Sequence, residues 1–143
     1  MGKALIVYAT RSGQTKKIAD LIAEGMRITG AEVDMKAAGE IKKPEDLAGY
    51  DAYVFGSATY HGEMMEAMKQ LLFIAERAGL EGKCGGSFGS FGWSGEAPER
   101  IFNTMQHVLK MNMAGDCLRL KNAGLEGGIP MAQGYGKQVA AKL

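Results

Sequence analysis

Apolar residues in this chain fall into short unbroken runs, separated by longer stretches where they recur every three or four positions. Lys3 to Ala9, KALIVYA, and Ala52 to Phe55, AYVF, are runs rich in branched and aromatic residues. A strand turns successive side chains to opposite faces, so an unbroken apolar run predicts a strand buried on both. After the first run Ile18, Leu21, Ile22, Gly25 and Met26 recur at helical spacing, and Gly30 stands where that helix should stop. Met64, Met68, Leu71, Leu72 and Ala75 form a second helical stripe ending near Gly79, and Ile101, Met105, Val108 and Leu109 form a third. Lys83 to Ser90 reads as a strand diluted with glycine, Glu32 to Ala37 as a weaker strand and Cys117 to Leu120 as a last short one. Pro44-Glu45-Asp46 starts a single helical turn, and Pro130 to Leu143 a closing helix that Gly134 and Gly136 weaken. Strands alternate with helices, which predicts an α/β fold: a parallel sheet with helices on both faces. No linker or repeat divides the pattern, so residues 1–143 read as one domain.

Composition narrows the function. Seventeen basic residues against sixteen acidic ones leave a net charge of +1, too little for a basic nucleic-acid binder. No apolar run approaches the about 20 residues of a membrane-spanning helix. The chain passes from Met1-Gly2-Lys3 straight into a strand, with no signal peptide expected. Two cysteines, Cys84 and Cys117, make neither a disulfide framework nor a metal cluster, so a reducing cytoplasm is the expected compartment. Glycine is the outlying count. Twenty-one glycines are about twice the average share, and several follow strand-like runs, where a backbone turns sharply or approaches a ligand.

In sheets of this kind ligands bind at the carboxyl ends of the strands, where the winding reverses. Three polar, glycine-bearing segments fall there: Thr10 to Thr15, Ser57 to Glu63 and Gly89 to Gly95. The first carries three hydroxyls, Thr10, Ser12 and Thr15, with Gly13 and Gln14, and a helix follows. The N–H groups and dipole of that helix start suit a phosphate, and hydroxyls can donate to one without adding charge. The plainer alternative is that Ser12 caps the helix. A nucleotide-triphosphate loop needs a lysine and a hydroxyl after its last glycine, whereas Gln14 follows Gly13. The loop has no cysteine for a phosphatase, and no acidic residue ends the first or third strand as a phospho-acceptor would require. A terminal phosphate monoester remains, bound and not attacked. Tyr60, Phe91 and Trp93 stand in the other two segments. Aromatic faces there can grip a flat ligand; equally, Trp93 can pack on its own helix or at a subunit contact.

Thr10-Arg11-Ser12-Gly13-Gln14-Thr15 resembles the T-x-T-G-N-T phosphate loop of flavodoxins. Gly56-Ser57-Ala58-Thr59-Tyr60-His61-Gly62 resembles their second flavin loop, and Phe88-Gly89-Ser90-Phe91-Gly92-Trp93-Ser94-Gly95-Glu96-Ala97 looks most like the third loop of the flavodoxin domain in flavodiiron proteins. The resemblance runs in order along the chain. It implies a doubly wound five-stranded sheet of order 2-1-3-4-5, without a long insertion in the last strand. It further implies one non-covalent FMN held by Thr10 to Thr15, by Ala58 to Gly62 and by Ser90 to Gly95, with Tyr60 and Trp93 flanking the flavin ring. The activity implied is electron transfer between redox proteins docking at the flavin edge, by a monomer or weak homo-oligomer, with no side chain in a catalytic role. The rival is an NAD(P)H-dependent FMN or quinone reductase, for which the sequence offers no second pocket.

Some features depart from that pattern. Flavodoxins are usually strongly acidic, Gln14 stands where asparagine is usual, and Arg11 adds a cation. A flavodiiron protein also needs a His- and carboxylate-rich iron domain, and only His61 and His107 occur here, so the flavin module is expected alone. Glu63, Glu66, Glu96 and Glu99 cluster near the second and third loops, and are read as an acidic rim for cationic partners or as solvated helix starts. Cys84 and Cys117 are expected to be buried and unreactive.

Overall fold

The computed structural model describes residues 2–10, 13–60, 63–90, 96–120 and 128–143. In chain order the elements are β1 (Lys3–Ala9), α1 (Gln14–Ile28), β2 (Glu32–Ala37), β3 (Ala52–Ser57), β4 (Thr59–Tyr60), β5 (Glu63–Met64), α2 (Glu66–Ala75), β6 (Cys84–Ser90), α3 (Glu96–Asn103), β7 (Asn112–Met113), β8 (Leu118–Leu120) and α4 (Gly128–Ala140). Short 3₁₀ turns occupy Ala38–Glu40 and Pro44–Leu47, the second where Pro44 was expected to start a turn.

The main sheet is parallel, in the order β2-β1-β3-β6-β7, with β8 also on β6. β1 lies inside the sheet next to the edge strand β2, and Ile6 lies between Met35 of β2 and Val54 of β3. The two-residue period of each strand divides its apolar run between two cores. Ala4, Ile6 and Val54 pack with Ile18, Ile22 and Met26 of α1 and Tyr135 and Val139 of α4. Leu5, Val7, Tyr53 and Phe55 pack on the other face with Met68 and Leu71 of α2, Ile101 of α3 and Met105. The helices therefore cover both faces, as the alternation predicts.

The fifth sheet position departs from expectation. Six strands form the sheet where five were expected, because two short strands share the last place. β7 pairs with Cys84 and Gly85, and β8 with Phe88 to Ser90. Between them the chain turns at Gly115, whose φ of 82° is in the left-handed region that favours glycine. The rung missing from the ladder is supplied by α4: the Ser87 N–H donates to the Tyr135 hydroxyl at 2.9 Å. A buried N–H needs such a partner.

Three helix boundaries also move. Met64 lies in β5, and α2 begins only at Glu66. The third helix loosens after Asn103 into a wide turn at Thr104–Val108, where the Leu109 N–H reaches the Thr104 carbonyl, and Val108 is exposed although its position falls on the expected apolar stripe. The last helix begins at Gly128, ahead of Pro130, and ends at Ala140.

Candidate flavin site

β1 hands the chain to α1 on one face of the sheet, and β3 hands it to α2 on the other. The carboxyl ends of β1 and β3 thus open a crevice where the winding reverses. The strands remain joined to its floor, since the Ala58 N–H donates to the Ala9 carbonyl at 3.1 Å.

The first loop is shaped by its own side chain. Thr10 Oγ1 accepts the Gly13 N–H at 2.9 Å, which closes the turn and leaves the Thr10 proton available to donate. Gly13 holds the cap position of α1 at φ 89° with no side-chain cap bond; the alternative of a Ser12 cap lies outside the described residues. The first turn of α1 contains no acidic residue, whereas α2 opens with Glu66 and α3 with Glu96 and Glu99. Exposed Lys16 and Lys17 stand there instead. Acids are the residues a helix start favours, so two lysines oppose the dipole and leave a net positive field for an anion. Lys16 is balanced by Asp20 at 3.3 Å, one turn away from the helix end. Thr15 is wholly buried, and its Oγ1 lies 2.8 Å from Ser90 Oγ at the end of β6. Arg11 and Ser12 lie outside the described residues.

The second loop is a small hairpin that local pattern did not reveal. β4 and β5 pair antiparallel, Thr59 opposite Met64 and Tyr60 opposite Glu63. Ser57, fully buried, anchors it: its hydroxyl accepts the Met65 N–H and donates to the Ala58 carbonyl, both at 2.9 Å. Ser57 was missing from the expected site, although a hydroxyl closing an apolar strand was a readable signal. Thr59 Oγ1 accepts the Ala97 N–H at 3.1 Å, so part of its expected binding capacity holds the first turn of α3. His61 and Gly62 lie outside the described residues. So do Phe91, Gly92, Trp93, Ser94 and Gly95 of the third loop. Its first residue, Ser90, is described and joins Thr15. Gly89 brings that strand end against the second loop: a Cβ there would meet the Ser57 carbonyl oxygen at 2.3 Å and Pro98 Cγ at 2.7 Å.

The acidic rim is a mixed-charge rim. Glu63 lies 3.6 Å from Arg100 and 3.9 Å from Lys69, and Glu99 lies 3.0 Å from Arg119. Glu66 accepts from Gln70 at 3.1 Å. Cys84 is buried and Cys117 half-buried, and burial raises both thiols above their ordinary range, which keeps them protonated at neutral pH. Among the described residues no group of three or more His, Cys, Asp or Glu could hold a metal ion. His107 is exposed.

Donors without carboxylates, at a glycine-opened helix start beside a sheet crevice, are the chemistry a phosphate monoester needs. Comparison with known proteins gives the ligand class. The family profile described as a flavodoxin domain matches residues 5–122. The chain belongs to the flavodoxin family. FMN is the cofactor of that family, and the donor set of the first loop fits its phosphate. A flavodoxin of Aquifex aeolicus is 40% identical over 100 residues, covering 66% of this chain and 54% of its own. A Rhodopseudomonas palustris (strain TIE-1) protein named NAD(P)H dehydrogenase (quinone) is 32% identical, covering 91% of this chain and 80% of its own. The solved structure of a flavodoxin from the domain Archaea superposes with a TM-score of 0.91 at 29% identity, covering 98% of this chain and 97% of that one. Flavodoxins are flavoproteins of electron transport, and this chain shares their sequence profile and their fold. Among the described residues no helix is long and apolar enough to cross a membrane.

Proposed function

We propose that residues 1–143 form one FMN-binding domain that carries electrons between redox proteins in the cytoplasm, as a monomer or weak homo-oligomer. The observation that carries this reading is the start of α1: a glycine at the cap, no acid in the first turn, two lysines, and the Thr15 hydroxyl buried beside them. Bound FMN supplies the electron chemistry. The chain holds and orients it. Thr10, Arg11, Ser12, Gly13, Gln14 and Thr15 hold the phosphate. Ala58, Thr59, Tyr60, His61 and Gly62, with Phe91, Gly92, Trp93, Ser94 and Gly95, line the flavin, Tyr60 and Trp93 against its faces, and Ser90 completes the cofactor site from the end of β6, joined to Thr15. Ser57 and Thr59 brace the second loop on β3 and α3. Partners dock at the flavin edge, where paired charges steer the encounter less than a bare acidic rim would.

The purified protein is expected to be yellow, with one FMN per chain, and the emission of Trp93 to be quenched until the flavin is stripped. A colourless protein, or a tryptophan indifferent to flavin, would refute the reading.

A second reading has support in the relatives named NAD(P)H dehydrogenase (quinone): an NAD(P)H-dependent FMN or quinone reductase. Steady-state NAD(P)H consumption with a quinone, by the purified holoprotein alone, separates the two. The carrier shows none above free FMN.

A further inference from the structure

Four serine and threonine side chains are buried among the described residues: Thr15, Ser57, Ser87 and Ser90. Ser57 and Ser87 bond to backbone groups, Ser87 donating to the Pro98 carbonyl at 2.9 Å. Thr15 and Ser90 instead bond to each other, at 2.8 Å, across 75 positions of sequence. We propose that Ser90 is a positioning residue for the cofactor phosphate: its hydroxyl donates to Thr15 Oγ1 and so reserves the Thr15 proton for the anion. The inference rests on the reading of the α1 start as the phosphate site.

The argument is a count of protons. Each hydroxyl has one proton and two lone pairs. A bond between two hydroxyls consumes one proton and leaves one over. With no anion present, either residue can be the donor. A phosphate at the first turn of α1 offers acceptors only, and of the pair Thr15 is the one in that turn. The remaining proton must therefore belong to Thr15, and the bond between the two survives only with Ser90 as donor. Thr15 is fully buried and Ser90 is 7% exposed, so water competes poorly for either group. Donors in series polarise one another, so the outer bond strengthens the inner one. Ser90 on β6 thereby favours a phosphorylated flavin over riboflavin without touching the phosphate.

The test is titration of the apoprotein with FMN and with riboflavin, followed by quenching of flavin fluorescence, with folding checked by circular dichroism. Ser90→Ala is expected to weaken FMN about three- to tenfold, the worth of one hydrogen bond, and riboflavin less than twofold. Ser90→Thr, which keeps the hydroxyl, should restore the FMN-to-riboflavin ratio. Thr15→Val should lower the ratio at least as much, and adding Ser90→Ala to it should lower it no further, since the series then has no inner link. Should Ser90→Ala not fold, Ser90→Cys keeps the bulk with a weak donor, and a wild-type ratio in that variant overturns the proposal. Equal losses for both flavins, or additive losses in the double variant, also overturn it. A ratio lowered by Thr15→Val but not by Ser90→Ala overturns the role of Ser90 and leaves the phosphate site standing. A ratio that Thr15→Val does not move overturns both.

Discussion

Gly56 of β3 and Phe88 of β6 are direct partners in the parallel ladder, and the Phe88 ring fills the space beside Gly56: a Cβ there would lie 2.2 Å from Cζ. Phe88 is wholly buried and has no room to retreat. Gly56 follows the AYVF run inside β3, one residue before its end, so this glycine serves packing and not a turn. Gly56→Ala should destabilise the protein by about 1–3 kcal/mol, the cost of overpacking a filled core. Adding Phe88→Leu should recover part of the loss. Urea midpoints of the two variants and the wild type check this; equal midpoints for Gly56→Ala and wild type would contradict it.

The crossing of α1 and α4 depends on a second pair. A Cβ on Gly25 would meet the Gln133 carbonyl oxygen at 2.1 Å, and one on Gly136 the Ile22 carbonyl oxygen at 2.1 Å. The obstacle at both is backbone, which cannot rotate away. Gly134, one position before Tyr135 on the same helix, faces open space. Gly136→Ala should therefore cost more than 1 kcal/mol, whereas Gly134→Ala should stabilise by about 0.5–1 kcal/mol through helix propensity. Thermal melts of the two variants should move in opposite directions.

Lys16 stands in the turn of α1 that lacks acids. Lys16→Glu places a negative charge where the cofactor phosphate is proposed to sit. FMN should bind several-fold more weakly and riboflavin almost unchanged. The FMN penalty should shrink as salt rises, because exposed charges are screened within about 10 Å at 0.1 M. Titrations at two salt concentrations decide it. A penalty equal for both flavins would mean that the loop senses no phosphate charge.

At the opposite edge of the sheet Tyr50 donates to Asp34 at 2.7 Å, and Lys3 lies over its ring. Burial, and then the Asp34 carboxylate, push the Tyr50 hydroxyl up to about 12 from an ordinary value of 10.0. A folded-state value above the unfolded one stabilises the fold below pH 10 and loses that contribution as pH rises toward 12. Wild type should therefore lose stability between pH 10 and 12 more steeply than Tyr50→Phe. The same bond lowers Asp34 below its ordinary value of 3.8, so its smaller, exposed contribution is present above pH 4 and fades as the pH falls through the lowered value. Denaturant midpoints against pH for both proteins read the difference directly.

Much of this protein was decided within short stretches of sequence. The runs of β1 and β3, the stripe of α1 and the glycine and hydroxyls after β1 specify a parallel sheet and the turn proposed to hold a phosphate. Each is a matter of local period and turn chemistry, complete within a few residues. What the tertiary structure decided lies across long separations. Whether β6 would find one edge partner or two depended on a turn at Gly115 and on Tyr135 arriving from α4 to take the Ser87 N–H. The hairpin of β4 and β5 has two residues per strand, too few to show a period, and is held by pairing, by Ser57 and by the bond from Ala97 to Thr59. Thr15 and Ser90 each read locally as a polar loop residue. Their bond spans 75 positions, and only the packing of α1 on β6 brings the two hydroxyls together, because a hydrogen bond between distant side chains leaves no mark on the periodicity of either segment.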